Sequence, residues 1–159
     1  MDYLYFDTNA LIKLYRIEKG SSWLQSFIIG KGIIVSELVL FESATVVGRY
    51  YRSGAYTLKE AVDLYDSIQR DVTGYNVISL QNALLRAEVE AVAFPSLLVK
   101  GSAFVRALDA IHVASAQYIR KRLTLQDPGA SFVVVSSDGQ LLKVAQANGL
   151  VVENPEGYP

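Results

Sequence analysis

Four short runs of this chain are almost wholly apolar: YLYF at 3–6, IIV at 33–35, FVVV at 132–135 and LVV at 150–152. Strands this short without polar alternation are covered on both faces. The longer segments between them repeat apolar residues every three or four positions, the period of helices laid on a sheet. Strands alternating with helices require right-handed crossovers and a parallel sheet. The expected fold class is therefore α/β, with helices on both faces of a short, mostly parallel sheet. At 159 residues, a single domain over 1–159 is expected.

The first helix is expected from Ala10 to Ile17, stopped at Lys19-Gly20, and a second from Ser21 to Ile29. Ser36 fits the N-cap of a third helix, Leu38 to Arg52. Thr57 and Glu60 have capping-box spacing ahead of a fourth, Leu58 to Arg70. These two consecutive helices form the largest insertion, read as an arm outside the layered core. Tyr75 to Ile78 is a further strand, followed by a helix from Leu80 to Phe94 closed by Pro95. Gly101-Ser102 is expected to break the stretch LLVKGSAFV. Helices over Leu108 to Leu123 and Asp138 to Asn148 complete the pattern, with Asp127 in the turn between them.

Charge is nearly balanced, 15 basic against 16 acidic residues, so no overall positive field points to nucleic acid. The absence of cysteine excludes disulfides, thiolate zinc sites and a thiol nucleophile. No signal peptide and no membrane span are read in the sequence, and a cytoplasmic location is expected.

The chemistry lies in four acids. Asp7 and Asp138 each follow a strand where a helix begins, and ligands of open α/β sheets sit beyond such strand ends. Ordinary helix capping competes with a shared polar site for both. Glu42 and Asp109 sit within otherwise apolar helical faces, where a carboxylate is costly unless paired or metal-bound. Carboxylates without cysteine suit magnesium or manganese, while zinc would recruit thiolate or histidine. The single histidine, His112, lies three residues beyond Asp109 on the same helix face and is read as a packing residue, with a group touching the site as the competing reading.

These motifs resemble the PIN-domain family, especially its VapC-like toxin ribonucleases. DTNALIKLY is similar to the family's opening motif, and SELVLFESATVVGR to the segment carrying its second acid. Glu42 matches that acid, with Glu37 as the competing candidate at the variable place after Ser36. RALDAIHVASA resembles the third motif and carries Asp109, while VVVSSDGQLLKVAQANGLVVENP resembles the fourth and carries Asp138. The resemblance spans 3–155. It implies a three-layer α/β/α sandwich and metal-dependent hydrolysis of RNA phosphodiesters, with Mg2+ or Mn2+ held by Asp7, Glu42, Asp109 and Asp138.

Thr8, Asn9 and Ser136 are expected to support the carboxylates or a phosphate, against a competing reading as plain caps. Lys13, Arg16, Arg49 and Arg52 are the candidate RNA contacts, with a solvated helix face as the competing reading. By resemblance the expected partners are a second copy of the chain and an antitoxin protein. Tyr50, Tyr51 and Tyr56 are candidates for such an interface, or for packing the inserted helices on themselves. The alternative to a nuclease is a protein-binding module of the same fold without a working site.

Overall fold

The computed structural model describes residues 2–98 and 105–159. Five parallel strands form one sheet: β1 (Asp2–Phe6), β2 (Gly32–Ser36), β3 (Asn76–Ile78), β4 (Ser131–Val135) and β5 (Val152–Glu153). Their spatial order is β3-β2-β1-β4-β5. The chain winds outward from β1 in one direction and then restarts on its other side, so β1 borders the switch point where such sheets bind ligands.

Helices cover both faces. On one lie α1 (Thr8–Ile12), α2 (Ser21–Phe27), α3 (Leu38–Arg52) and α4 (Leu58–Val72), packed on Leu4, Phe6, Val35 and Val135. On the other lie α5 (Ala83–Leu98), α6 (Ala107–Gln126) and α7 (Gly139–Ala147), packed on Tyr5, Ile34 and Val134. Alternate residues of each strand thus feed opposite cores, as the two-residue period requires. The result is a three-layer α/β/α sandwich.

Several expectations need correction. The helical stretch expected from Ala10 to Ile17 ends at Ile12. The amides of Leu14 and Tyr15 tighten onto Leu11 and Ile12 in i→i+3 turns, and Ile17 is exposed. The helices α3 and α4 are not an outlying arm: α4 buries Ala61, Ile68 and Val72 in the same core as α3. Pro95 does not close α5, which runs on to Leu98. The N-cap of α3 is Glu37, one residue after Ser36, although the Ser36 hydroxyl accepts from the Leu38 amide at 3.3 Å. The expected break at Gly101-Ser102 lies outside the described residues. The capping box of Thr57 and Glu60 forms as expected. Among the described residues, no helix is long and apolar enough to cross a membrane.

Candidate metal centre

The register of the sheet assembles the floor of the site. Phe6 pairs with Val35 and with Val135, so Asp7, Ser36 and Ser136 emerge level at the carboxyl edge. Asp7 is buried, and both of its oxygens accept hydrogen bonds. Oδ1 takes the Ala10 amide at 2.8 Å and Oδ2 the Ser136 hydroxyl at 2.7 Å. Asp7 therefore caps α1 and faces the cavity at once; the two readings of it are compatible. Burial pushes its carboxyl above the ordinary value, against the opposing pull of His112, Ser136 and the Ala10 amide.

A cavity of about 640 Å³ opens beside it, lined by Asp7, Thr8, Asn9, Glu42, Arg49, Arg52, Arg106, Asp109, His112 and Asp138. All four acids singled out in the sequence reach this one space, from β1, α3, α6 and the start of α7. Glu37 does not: its carboxylate accepts from the Ser79 hydroxyl and the Leu80 amide, tying α3 to the end of β3.

Each acid has its own partners. Glu42 Oε2 accepts from the Thr8 hydroxyl and from His112 Nε2, the latter at 2.9 Å. Burial raises the Glu42 carboxyl, but His112, Thr8 and Arg106 outweigh it and hold the group below its ordinary value. Asp138 Oδ1 caps α7 by accepting the amides of Gln140 and Leu141 at 2.8 and 3.2 Å. Its other oxygen accepts from Arg106. Burial again raises the carboxyl, and Arg106 with the two amides brings it below the ordinary value.

Arg106 is the residue that sequence reasoning missed. Its Nε donates to Asp109 Oδ2 at 2.7 Å, and its Nη2 reaches both Asp109 Oδ1, at 3.3 Å, and Asp138. One guanidinium thus bridges the starts of α6 and α7. The carboxylates of Asp109 and then Asp138 hold it firmly in its charged form. The signal was present: a basic residue three positions before Asp109 at a helix start.

His112 combines its two readings. It is a buried packing residue, yet its ring hydrogen-bonds Glu42 and so belongs to the site. The expected phosphate contacts separate. Arg49 and Arg52 are exposed on the cavity wall. Arg16 lies over the Tyr50 ring, 4.5 Å from its centroid. Lys13 is buried and donates to Glu18 and Glu156 at 2.7 and 3.0 Å, so it does not face the cavity. Tyr50 and Tyr56 pack edge to face at 5.5 Å, while Tyr51 remains exposed.

The donor chemistry fits a hard divalent cation, since four carboxylates line the cavity and the chain has no cysteine. The arrangement is not a finished cage. Among the described residues, no three Asp, Glu or His side chains are grouped closely enough to hold an ion. Arg106 supplies the positive charge between Asp109 and Asp138 instead.

Comparison with solved structures agrees with this architecture. A chain of FitAB bound to the IR36 DNA fragment superposes with a TM-score of 0.68 at 15% identity, covering 96% of this chain and 95% of that one. A chain of FitAcB from Neisseria gonorrhoeae gives 0.64 at 16% identity, with 96% and 97% covered. A chain of VapBC2 from Rickettsia felis, bound to a DNA fragment from their promoter, gives 0.62 at 16%, with 97% and 98% covered. At such identities the likeness establishes the fold alone. No curated protein matches in sequence. The family profile described as PIN domain matches residues 4–147, from β1 to the last turn of α7, with all four acids inside it, and the chain belongs to the PIN-domain family.

Proposed function

We propose that this protein is a metal-dependent endoribonuclease that hydrolyses RNA phosphodiester bonds, and that it is the toxin of a toxin–antitoxin pair. One observation carries the reading: acids 7, 42, 109 and 138, far apart in sequence, line a single cavity at the carboxyl edge of the sheet with Arg49 and Arg52 on its wall. Asp7, Glu42, Asp109 and Asp138 are the residues that would hold Mg2+ or Mn2+. When bound, the ion activates water and neutralises charge developing on the phosphate. Ser136 and the Ala10 amide hold Asp7 in place, so that carboxylate needs little reorganisation. Arg49 and Arg52 hold phosphates of the strand entering the cavity, a positioning role without base specificity. The likeness to chains of FitAB and VapBC2 supports a protein partner of the antitoxin kind. The exposed Phe41, Tyr51, Leu58 and Val62 on α3 and α4 offer apolar surface for that partner or for a second copy of the chain.

A second reading has its own support. Arg106 neutralises two of the four acids, as a protein-binding module without a working site would allow. Cleavage of a mixed RNA pool by the partner-free protein separates the two. With manganese or magnesium, the nuclease reading requires cutting that EDTA stops and that Asp7→Asn and Asp109→Asn each abolish. Intact RNA in the presence of manganese, from well-folded protein that also fails to bind the ion, leaves the binding-module reading standing.

A further inference from the structure

Behind the acidic cavity, a hydrogen-bonded chain runs into the core. Glu42 Oε2 meets His112 Nε2 at 2.9 Å, and His112 Nδ1 meets the Tyr5 hydroxyl at 2.9 Å. The Tyr5 and His112 rings pack edge to face, 6.1 Å apart at 73°. Tyr5 is fully buried and His112 is 3% exposed, so neither can exchange its partner for water. The hydroxyls of Ser115 and Ser36 flank the phenol from α6 and β2.

The chemistry of the atoms gives the chain a direction. An ionised carboxylate only accepts, so Nε2 must carry the proton in the bond to Glu42. Whenever the ring is neutral, Nδ1 is then an acceptor, and the Tyr5 hydroxyl 2.9 Å away is placed to donate to it. An ordinary phenol is protonated at neutral pH, so that donor has its proton. At the outer end, both donors to Glu42, Thr8 and His112, converge on Oε2. Among the described residues, Oε1 receives no hydrogen bond. A glutamate on a helix surface would otherwise sample many rotamers.

We propose that Tyr5 and His112 are positioning residues for Glu42: the phenol fixes the imidazole, the imidazole fixes Oε2, and Oε1 is thereby held toward the cavity. Because Glu42 stands on α3 and His112 on α6, the same contact spans both helical layers across the sheet edge. The proposal rests on the nuclease reading only for what Glu42 does once it is held.

The chain has one histidine, so the ring nitrogens of His112 give the only imidazole signals in an 15N spectrum. At a fixed alkaline pH where the ring carries one proton, and without metal, Nε2 is expected to be protonated and Nδ1 bare; the opposite tautomer overturns the proposal. Glu42→Gln must move the Nε2 signal, and Tyr5→Phe the Nδ1 signal. Mn2+ affinity, measured without RNA, should fall about tenfold in His112→Phe, the usual cost of losing a residue that orients a ligand. It should recover in part in His112→Gln, whose amide still offers an N–H, and fall severalfold in Tyr5→Phe. If the wild type cleaves RNA, kcat should drop in Tyr5→Phe with KM unchanged. Wild-type Mn2+ affinity in folded His112→Phe overturns the proposal. If His112→Phe does not fold, Tyr5→Phe, which removes a single oxygen, decides by the same measure. A wild type that binds no Mn2+ sinks the nuclease reading instead. The proposal then stands or falls on whether Glu42→Gln moves the Nε2 signal.

Discussion

Asp7 does two jobs that oppose each other. As the cap of α1 it contributes stability, but as a buried anion it costs stability, and its raised carboxyl reflects the cost. Asn in its place keeps an oxygen for the Ala10 amide, turns an N–H toward Ser136 Oγ, which can accept it, and removes the charge. Asp7→Asn is therefore expected to stabilise the metal-free protein at pH 7 by about 1 kcal/mol, within the range common for relieving one strained group. A carboxyl that titrates above its ordinary 3.8 takes up its proton early as pH falls, so the gain must shrink in acid. Urea unfolding at pH 7 and pH 4 checks both size and sign. Arg106 poses the reverse case. Its side chain is 52% exposed, so losing its ion pairs should cost the metal-free protein only about 1 kcal/mol. The same guanidinium competes with a cation for Asp109 and Asp138. In Arg106→Gln, Mn2+ should bind about fivefold tighter, the factor matching that energy, as calorimetry would show.

The segment from the end of α1 into α2 packs on the C-terminal turn Pro155–Gly157. Lys13 is buried between Glu18 and Glu156, and Trp23 stacks on Tyr158 at 4.0 Å. Gly20 makes the closest approach. Its φ is +82°, and a Cβ there would lie 2.2 Å from the Pro155 carbonyl oxygen, an overlap with backbone that cannot rotate away. Gly20→Ala is expected to destabilise by about 2 kcal/mol or more, the left-handed backbone alone costing roughly 1–2 kcal/mol. Thermal unfolding reads the loss, and it should come with freer C-terminal amides in hydrogen exchange. Removing the Lys13 ammonium leaves Glu18 and Glu156 able to hydrate, so Lys13→Met should cost about 1.5–3 kcal/mol, the range for hydrogen bonds to charged groups. Any RNA cleavage should persist in that variant, because Lys13 does not line the acidic cavity.

Across the molecule, a net charge of −1 gives little long-range attraction for RNA. An electrostatic contribution would come from a local patch, and the rim of the cavity offers one. Arg49 and Arg52 as two phosphate contacts predict a shallow salt dependence, with a slope of log K against log salt of about −1.4 for single-stranded RNA. Replacing both by Ala should flatten that slope, and binding isotherms at several salt concentrations test it. A slope several times steeper would mean that the strand is held by a surface other than this rim.

The composition and order of the segments were enough to specify an α/β chain with a parallel sheet, because apolar run length and helical period are local properties. The same holds for the capping box of α4 and for the acids at the strand ends. Asp7 and Asp138 were conspicuous because each stands where an apolar strand gives way to a helix, the place of a cap, a ligand site or both. The early end of α1, the incorporation of α4 into the core and the burial of Lys13 were not legible, since each depends on a partner distant in sequence: Glu156 for Lys13, and the sheet face for α4. Arg106 and His112 show the limit most clearly. Both stood in the quoted motif around Asp109, but the bridge to Asp138 and the bond to Glu42 exist only once β1, α3, α6 and α7 meet at one sheet edge. A sequence can show which side chains carry charge; which charges share a cavity, and which cation stands between them, depends on contacts that only the folded chain creates.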